Sequence, residues 1–353
     1  MKIAVYAIAL NEIKHVGRWA QTTKDADYRI VADTGSTDGT QEALRQSGVI
    51  VHDIYIRPWR FDMARNASLA LVPEDADLCV FLDMDEVLEP KFFEKVRKGW
   101  VEGSDHAWVN FDTGNIWQKD KIHTRSGWHW KYPCHEVAVF YAGQTAKHCT
   151  IDALISHKPD ETKSRSQYVD LLELAVKELP KDPRMWTYMA REYYFHQRWE
   201  DVLRAGQAML DCPDGWDVEQ AAVCKWLGEA AHYLDKVEEA TQWFQKGTKI
   251  LPKQGEPWYG VAIDAYRRRD WSTCLSAAIN AFESPRSNHY CYESAIWDWK
   301  AYDLAGISSY NLGLIEESEL FTKQALLAVP DGPEKERIKR NYEFTKDVLK
   351  RKK

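Results

Sequence analysis

The sequence contains no Cys-x-x-Cys pair and no Cys/His spacing of the kind that holds zinc. Its seven cysteines stand singly at positions 79, 134, 149, 212, 224, 274 and 291, and an odd number without pairing motifs reads as reduced thiols in a cytoplasm. Apolar stretches are short as well: none approaches the ~18 residues that a membrane helix needs, so no transmembrane segment is expected. The N-terminal run IAVYAIAL follows a single lysine and passes into Asn11 and Glu12 with no processing site, which marks a first buried strand rather than a signal peptide. Positive charge is in deficit, 47 Lys and Arg against 54 Asp and Glu, for a net charge of −7. That excludes a dedicated nucleic-acid binder, and the basic tail KRKK reads as a solvated chain end.

What is present divides in two. The 353 residues are more than one ordinary core needs and suggest two domains. Up to about residue 160, β-rich runs (KIAVYAIAL, YRIVAD, VIVHDIYI, LCVFLD) take turns with amphipathic helical segments (IKHVGRWAQTTKD, DMARNASLALV). Such alternation predicts an α/β domain, a mostly parallel sheet covered by helices, over residues 1–160. In such sheets ligands bind outside the carboxyl ends of the strands. Asn11 and Glu12, then DTGSTDGT, then DMDE should therefore line one rim.

Over residues 161–353 the pattern becomes all-α and repetitive. In units starting near 183, 221, 255 and 299, the fourth position holds Trp186, Cys224, Trp258 and Tyr302, and the eighth holds Ala190, Gly228, Ala262 and Gly306. The twenty-seventh gives Met209, Gly247, Ala281 and Ala325. Small residues at two positions let paired helices approach while a large one fills the gap. This resembles degenerate tetratricopeptide repeats, and the many tryptophans of this half read as core.

Three rim features carry chemistry. In VADTGSTDGT, Gly35 suits an unusual backbone angle and Ser36, Thr37 or Asp38 suit a helix cap, but Asp33 precedes any cap. A carboxylate there can accept hydrogen bonds from a base N–H or from ribose hydroxyls. In FDMARNASLALV, Arg65 and Asn66 interrupt an apolar helix, and the arginine suits pairing with an acidic rim or a phosphate. In CVFLDMDEVLEP, Asp83, Met84, Asp85 and Glu86 follow a buried strand. Taken alone this is a strand cap or a metal site; the Asp83/Asp85 pair suits Mg²⁺ or Mn²⁺ that takes its other ligands from phosphates and water. Glu86 and Glu89 read as the solvated start of the next segment.

The order ALNE, VADTGSTDGT, FDMARN, FLDMDEVLEP resembles the nucleotide-sugar domain of family 2 glycosyltransferases with the GT-A fold, over about residues 1 to 160. It is most similar to the lipopolysaccharide-core and peptide glucosyltransferase type, some members of which carry tetratricopeptide repeats after the catalytic domain. The resemblance implies a Rossmann-like sheet, a Mn²⁺ or Mg²⁺ cofactor, and hexosyl transfer from a nucleotide-sugar, read as a UDP-sugar, to a hydroxyl on a glycan, lipopolysaccharide or polypeptide. By position, Asp33 would bind the uracil or ribose, and the main chain from Ala7 through Ala9 to Asn11, with Glu12 beside it, would edge the base. Arg65 would lie against the base and Asp83, while Asp83 and Met84 would face the ribose and sugar and Asp85 would hold the metal. VADTGS in place of VVDTGS, and ALNE without a Lys before Asn11, are mild departures.

No Glu-Asp pair occurs between residues 90 and 160, where many members carry the base. The subgroup's His-Glu pair matches YPCHEVAVF, which makes Glu136 the candidate base and His135 an orienting or acceptor-binding group; the structural alternative pairs Glu136 with Lys131. His157, in LISHKPD, matches a further family histidine for metal or diphosphate. The stretch WQKDKIHTRSGWHWKYP, with Trp117, Arg125, Trp128, His129 and Trp130, falls where an acceptor surface is expected. For the repeats, polypeptide binding, a homodimer and shaping of the cleft all stand open. Two rivals are a sugar nucleotidyltransferase, which would show a Gly-rich basic first loop that ALNEIKHVG lacks, and a tetratricopeptide adaptor with a degenerate transferase domain, against which the intact charges count.

Overall fold

The computed structural model describes residues 1–352 apart from 115, 142–144, 160–167, 287–288, 290 and 292. The expected domain boundary at 160/161 lies outside the described residues. The chain separates into two compact units, Met1–Leu171 and Leu172–Lys353.

In the first unit, strands β1 (Ile3–Ala9), β2 (Tyr28–Asp33), β3 (Ile50–Asp53) and β4 (Leu78–Phe81) alternate with helices α1 (Ile13–Thr22), α2 (Thr40–Gln46) and α3 (Phe61–Ala70). Then come β5 (Glu86–Leu88), α4 (Phe92–Gly99), β6 (His106–Asp112), β7 (Ile116–Thr124), β8 (Trp128–Lys131), β9 (Val137–Phe140) and β10 (His148–His157). Eight strands form one sheet in the order β3-β2-β1-β4-β7-β6-β10-β5, and β8 pairs with β9 in a separate hairpin. Strands β3, β2, β1 and β4 are parallel, β7 runs antiparallel to β4 and β6, β10 is parallel to β6, and β5 is antiparallel to β10. The sheet is thus mostly parallel, as the alternation of elements predicts. Central strands buried on both faces need apolar residues at consecutive positions, and Ile3 to Ala7 of β1 are all fully buried. One face packs Ile3, Val5, Val31 and Val80 with Trp19, Phe92 and Val96; the other packs Ala4, Tyr6, Ile30 and Phe81 with Trp128 and Trp130 of β8.

This second face contains a closed polar relay. Trp130 Nε1 donates to Tyr6 Oη at 3.0 Å, and Tyr6 Oη lies 2.8 Å from His123 Nε2. His123 Nδ1 lies 2.7 Å from the Thr124 carbonyl. The carbonyl can only accept, so Nδ1 carries the proton and Nε2 accepts from the tyrosine. Every donor in the relay is satisfied, which ties β1, β7 and β8 together at the modest desolvation cost of a paired network.

The described residues of the second unit form only helices and their connections: α5 (Tyr168–Glu178), whose first four residues belong to the first unit, leads into α6 (Pro183–Phe195), α7 (Trp199–Leu210), α8 (Asp217–Tyr233), α9 (Val237–Ile250), α10 (Gly255–Arg267), α11 (Trp271–Glu283), α12 (Ala301–Asn311), α13 (Ile315–Ala328) and α14 (Pro333–Lys352). A π-helical turn, Ile296–Lys300, runs directly into α12. Pairs α6/α7, α8/α9, α10/α11 and α12/α13 pack closely, matching the four repeat units. The eighth repeat position behaves as its size predicts: Ala190 and Ala262 are fully buried, and a Cβ on Gly228 would come within 2.6 Å of the Phe244 ring. At the fourth position, Trp186 and Trp258 each donate their indole N–H to the carbonyl of a proline six residues earlier, Pro180 at 3.0 Å and Pro252 at 2.9 Å. Among the described residues no helix is long and apolar enough to cross a membrane.

Burial pushes the His123 imidazole down from 6.5 to about 4, so the folded protein keeps it neutral where an unfolded chain takes up a proton. Its contribution to stability is complete above about pH 6.5 and is lost as the pH falls towards about 4, at about 1.4 kcal/mol per pH unit. Urea unfolding across this range should show a shallower acid loss in His123→Gln than in the parent protein; equal slopes would remove His123 as a source of acid lability.

Candidate active site

Because β1, β2, β4, β6 and β10 run the same way, their carboxyl ends share one edge of the sheet, together with the start of antiparallel β7. The sequence-predicted residues at the ends of β1, β2, β4 and β10 gather along that edge.

Asp33, the last residue of β2, is fully buried. Its Oδ1 accepts from the Gly35 and Ser36 amides at 2.9 and 2.7 Å and from Gln41 Nε2 at 2.7 Å. The turn depends on Gly35, whose φ of +113° is poorly accessible to residues with a Cβ. Among the described residues Asp33 Oδ2, which is buried, has no hydrogen-bond partner. The neighbouring polar residues brace this loop. Asn11 Oδ1 accepts from the Thr37 amide at 2.9 Å, and Asp38 accepts from the Thr40 and Ile13 amides at 3.0 and 3.1 Å. Ser36 accepts from the Asn11 amide, so Asp38, not Ser36 or Thr37, serves the start of α2. The Glu12 carboxylate lies 3.9 Å from His15 Nε2. Ala7 and Ala9 are buried, and their carbonyls accept from Ser68 Oγ at 2.9 Å and Thr34 Oγ1 at 3.0 Å.

Arg65 joins two segments that are far apart in sequence. Its guanidinium is buried, with Nη2 2.6 Å from Asp83 Oδ1 and Nε 3.0 Å from Glu136 Oε1. Glu136 therefore meets Arg65, not Lys131 as in the structural alternative. The guanidinium also lies 5.2 Å from the Trp130 ring centroid. Among the described residues its buried Nη1 has no hydrogen-bond partner. Asn66 explains itself structurally: its side chain accepts from Trp130 N and donates to Trp130 O, both at 2.8 Å, so α3 pairs with β8 as another strand would. Burial disfavours the charged Asp83 carboxylate, but Arg65, then Lys121 and Lys119, override it and hold the group well below the usual carboxylate range. Burial likewise opposes the Arg65 charge, and Asp83 and Glu136 more than offset it.

Asp85 and His157 meet at the same edge: Asp85 Oδ2 is 3.2 Å from His157 Nε2, and both side chains keep partial exposure, 24% and 29%. The carboxylate oxygen suits Mn²⁺ or Mg²⁺ completed by phosphate and water oxygens, and the imidazole nitrogen beside it suits the softer Mn²⁺ better than Mg²⁺. Among the described residues no group of three or more His, Cys, Asp or Glu is arranged as a metal cluster. The His157 ring is stacked against Phe111, with centroids 6.0 Å apart and an interplanar angle of 25°. Met84 is buried in the core, which leaves only its main chain to face a ligand.

Other expectations are corrected. Glu86 is not solvated: it is 1% exposed, with its carboxylate 2.6 and 2.7 Å from the fully buried Lys121 Nζ, and it accepts from the Asp83 amide at 3.0 Å. Glu89 accepts from the Leu154 amide at 2.6 Å and pairs with Lys95 at 2.8 Å. Both carboxylates fasten the segment after β4 to its neighbours. Of the expected acceptor surface, Trp128 and Trp130 are core residues and Arg125 donates to the Val72 carbonyl at 3.0 and 2.9 Å. His129 is stacked on Tyr141. Trp117 remains, 43% exposed at the start of β7. His135 adopts φ 50°, and its ring lies 5.4 Å from that of Tyr168. Lys119 and Lys121 were not anticipated from sequence; two lysines spaced i, i+2 on one strand, ending at an acidic rim, were the available signal.

Residues 10–161 match the family described as Glycosyl transferase family 2. No curated protein sequence matches the chain. Among solved structures, the Cut9-Hcn1 hetero-tetramer of APC/C is similar at 12% identity over 52% of this chain and 33% of that one, with a TM-score of 0.43. YrrB, a TPR protein with an unusual peptide-binding site, is similar at 15% identity over 52% of this chain and 85% of that one, with a TM-score of 0.41. Glucosyl-3-phosphoglycerate synthase from Mycobacterium tuberculosis, solved with Mn²⁺, UDP and glucosyl-3-phosphoglycerate, is 27% identical over 32% of this chain and 45% of that one, with a TM-score of 0.28. The chain thus spans about a third of the Cut9-Hcn1 chain and under half of the synthase.

The Glu86–Lys121 pair sets the position of the Asp83–Asp85 turn, and its energetics can be tested directly. Lys121→Met strands a buried carboxylate and should cost about 3–5 kcal/mol in urea unfolding, whereas the double variant Lys121→Met/Glu86→Leu should recover most of that loss. A double variant no more stable than the single one would show that the pair acts through packing alone.

Proposed function

We propose, from the premise that residues 10–161 form a domain of glycosyl transferase family 2, that the protein is a metal-dependent inverting glycosyltransferase. It moves a sugar from a nucleotide-sugar, UDP-sugar in our reading, to a hydroxyl of a glycan, lipopolysaccharide or polypeptide. The catalytic domain is taken as residues 1–160 and the repeat domain as 161–353. The solitary cysteines support a cytoplasmic setting. The observation that carries the reading is the convergence at one sheet edge of Asp33, the Asp83–Arg65–Glu136 bridge and the Asp85–His157 pair.

Each side chain has a task that its environment supports. Asp33 Oδ2, buried and without a protein partner, accepts from the base N–H or a ribose hydroxyl. Arg65 holds Asp83 charged and oriented towards the ribose and sugar. Asp85 and His157 would hold Mn²⁺ or Mg²⁺, which when bound supplies charge neutralisation for the departing diphosphate. Arg65 takes Glu136 Oε1, which leaves Oε2 for the acceptor. As the acceptor oxygen bonds to the anomeric carbon and the bond to the diphosphate breaks on the opposite side, the hydroxyl proton passes to Glu136 Oε2. Fixing Glu136 on a buried guanidinium orients it in advance of the reaction.

Calorimetric titration with UDP in the presence and absence of Mn²⁺ should show metal-assisted binding that Asp85→Ala loses; a protein that binds no UDP under either condition refutes the reading. A screen of UDP- and GDP-sugars for donor hydrolysis identifies the substrate for a second test. Glu136→Gln should keep UDP affinity within about twofold and lower turnover by about 100-fold or more. Unchanged turnover would take the base role from Glu136.

A further inference from the structure

Among the described residues, the edge that holds the carboxylates also holds a cation, Lys119, with which none of them forms an ion pair. Strand β7 presents Trp117, Lys119 and Lys121 on one face, since alternate residues of a strand point the same way. Lys121 is bound to Glu86. Asp120 points to the other face and lies 2.8 Å from His106 Nδ1. Lys119 is half-buried, and its ammonium sits 4.2 Å from the Phe111 ring centroid and 5.8 Å from that of Trp117. Among the described residues it makes no ion pair or hydrogen bond. The acids that influence it, Glu86 and Asp83, are each engaged by a closer cation, Lys121 and Arg65, at 2.6 Å.

We propose that Lys119, seated on Phe111 and flanked by Trp117, is the counter-ion of a substrate phosphate, carried by the donor diphosphate or by the acceptor. Phe111 also carries the His157 ring, so the ammonium shares its aromatic seat with the residue that meets Asp85. An ammonium withdrawn from water beside a second cation is unfavourable until an anion reaches it. Burial, and then Lys121, push Lys119 down to about 8, the direction expected of a cation that lacks its anion. The exposed Trp117 adds an apolar wall for the sugar or acyl part next to that phosphate. This inference rests on the donor-site reading above.

Full-length protein and its Lys119→Met and Lys119→Arg variants, in Mn²⁺, are titrated with UDP, with uridine, and with inorganic phosphate after saturation by UDP. If the donor supplies the phosphate, Lys119→Met weakens UDP about tenfold or more, leaves uridine unchanged, and Lys119→Arg restores most of the loss. If the acceptor supplies it, UDP binds all three proteins alike, and inorganic phosphate binds the UDP-saturated parent but not Lys119→Met. Identical UDP and phosphate binding by parent and Lys119→Met overturns the assignment. A parent protein that binds neither UDP nor uridine, yet binds phosphate through Lys119, would overturn the donor reading and uphold the role of Lys119.

Discussion

The buried guanidinium of Arg65 is the contact on which the geometry of the sheet edge depends. It draws together a carboxylate from the turn after β4 and one from the segment before β9, 2.6 and 3.0 Å from a single side chain. Two acids at one arginine would repel one another without it. Removing the cation would leave Glu136 little exposed and unpaired, and would free Asp83 to turn towards solvent. The position of Arg65 is in turn set by α3, which Asn66 fastens to the backbone of Trp130 and Ser68 to the carbonyl of Ala7. The helix is therefore fixed to both the central strand and the small hairpin, and the guanidinium has little freedom to follow either carboxylate away from the other.

The relay from Trp130 through Tyr6 to His123 extends this frame into the core. Trp130 has its ring near Arg65, its indole N–H on Tyr6 and its edge against Phe81, with centroids 4.7 Å apart. A tryptophan that looks from sequence like a sugar-stacking surface is thus a strut. It sets the distance between the sheet and the hairpin that delivers Glu136.

The fold was readable because periodicity reports burial: the buried strands β1 and β4 carry no charged residue and β2 has the apolar stretch Ile30–Ala32, and the repeat positions held by Ala190, Gly228 and Ala262 are small for the close helix contact they make. Asp33, Asp83 and Asp85 were readable as one rim because parallel strands bring their carboxyl ends to one edge whatever their separation in sequence; Arg65, on helix α3, and His157 were matched through the family resemblance, and the structure sets them beside Asp83 and Asp85. What sequence could not supply was pairing. Glu86 looks solvated beside two other acids, and only antiparallel β7, inserted next to β4, brings Lys121 to it. Likewise Trp128 and Trp130 look like surface because they sit among polar residues; the hairpin β8–β9 folds them inward. The Glu136–Arg65 contact spans 71 positions, and no local pattern encodes it.

A structural edge of this kind would be cheaper without most of its charges, since apolar residues of similar volume often replace a buried ion pair without loss of stability. The cost is visible in what stays unpaired. Among the described residues Asp33 Oδ2 and Arg65 Nη1 are buried polar atoms without hydrogen-bond partners, each worth about 1–3 kcal/mol if left unsatisfied. The two differ in kind, one able only to accept and the other only to donate. The carboxylates alone would repel an anion; Arg65 and Lys121 pair with Asp83, Glu136 and Glu86 and offset two of their three charges, and Lys119, within the field of Glu86 and Asp83, offsets the third. On the proposed function, internal pairing of the acids is the condition for binding an anionic substrate among them.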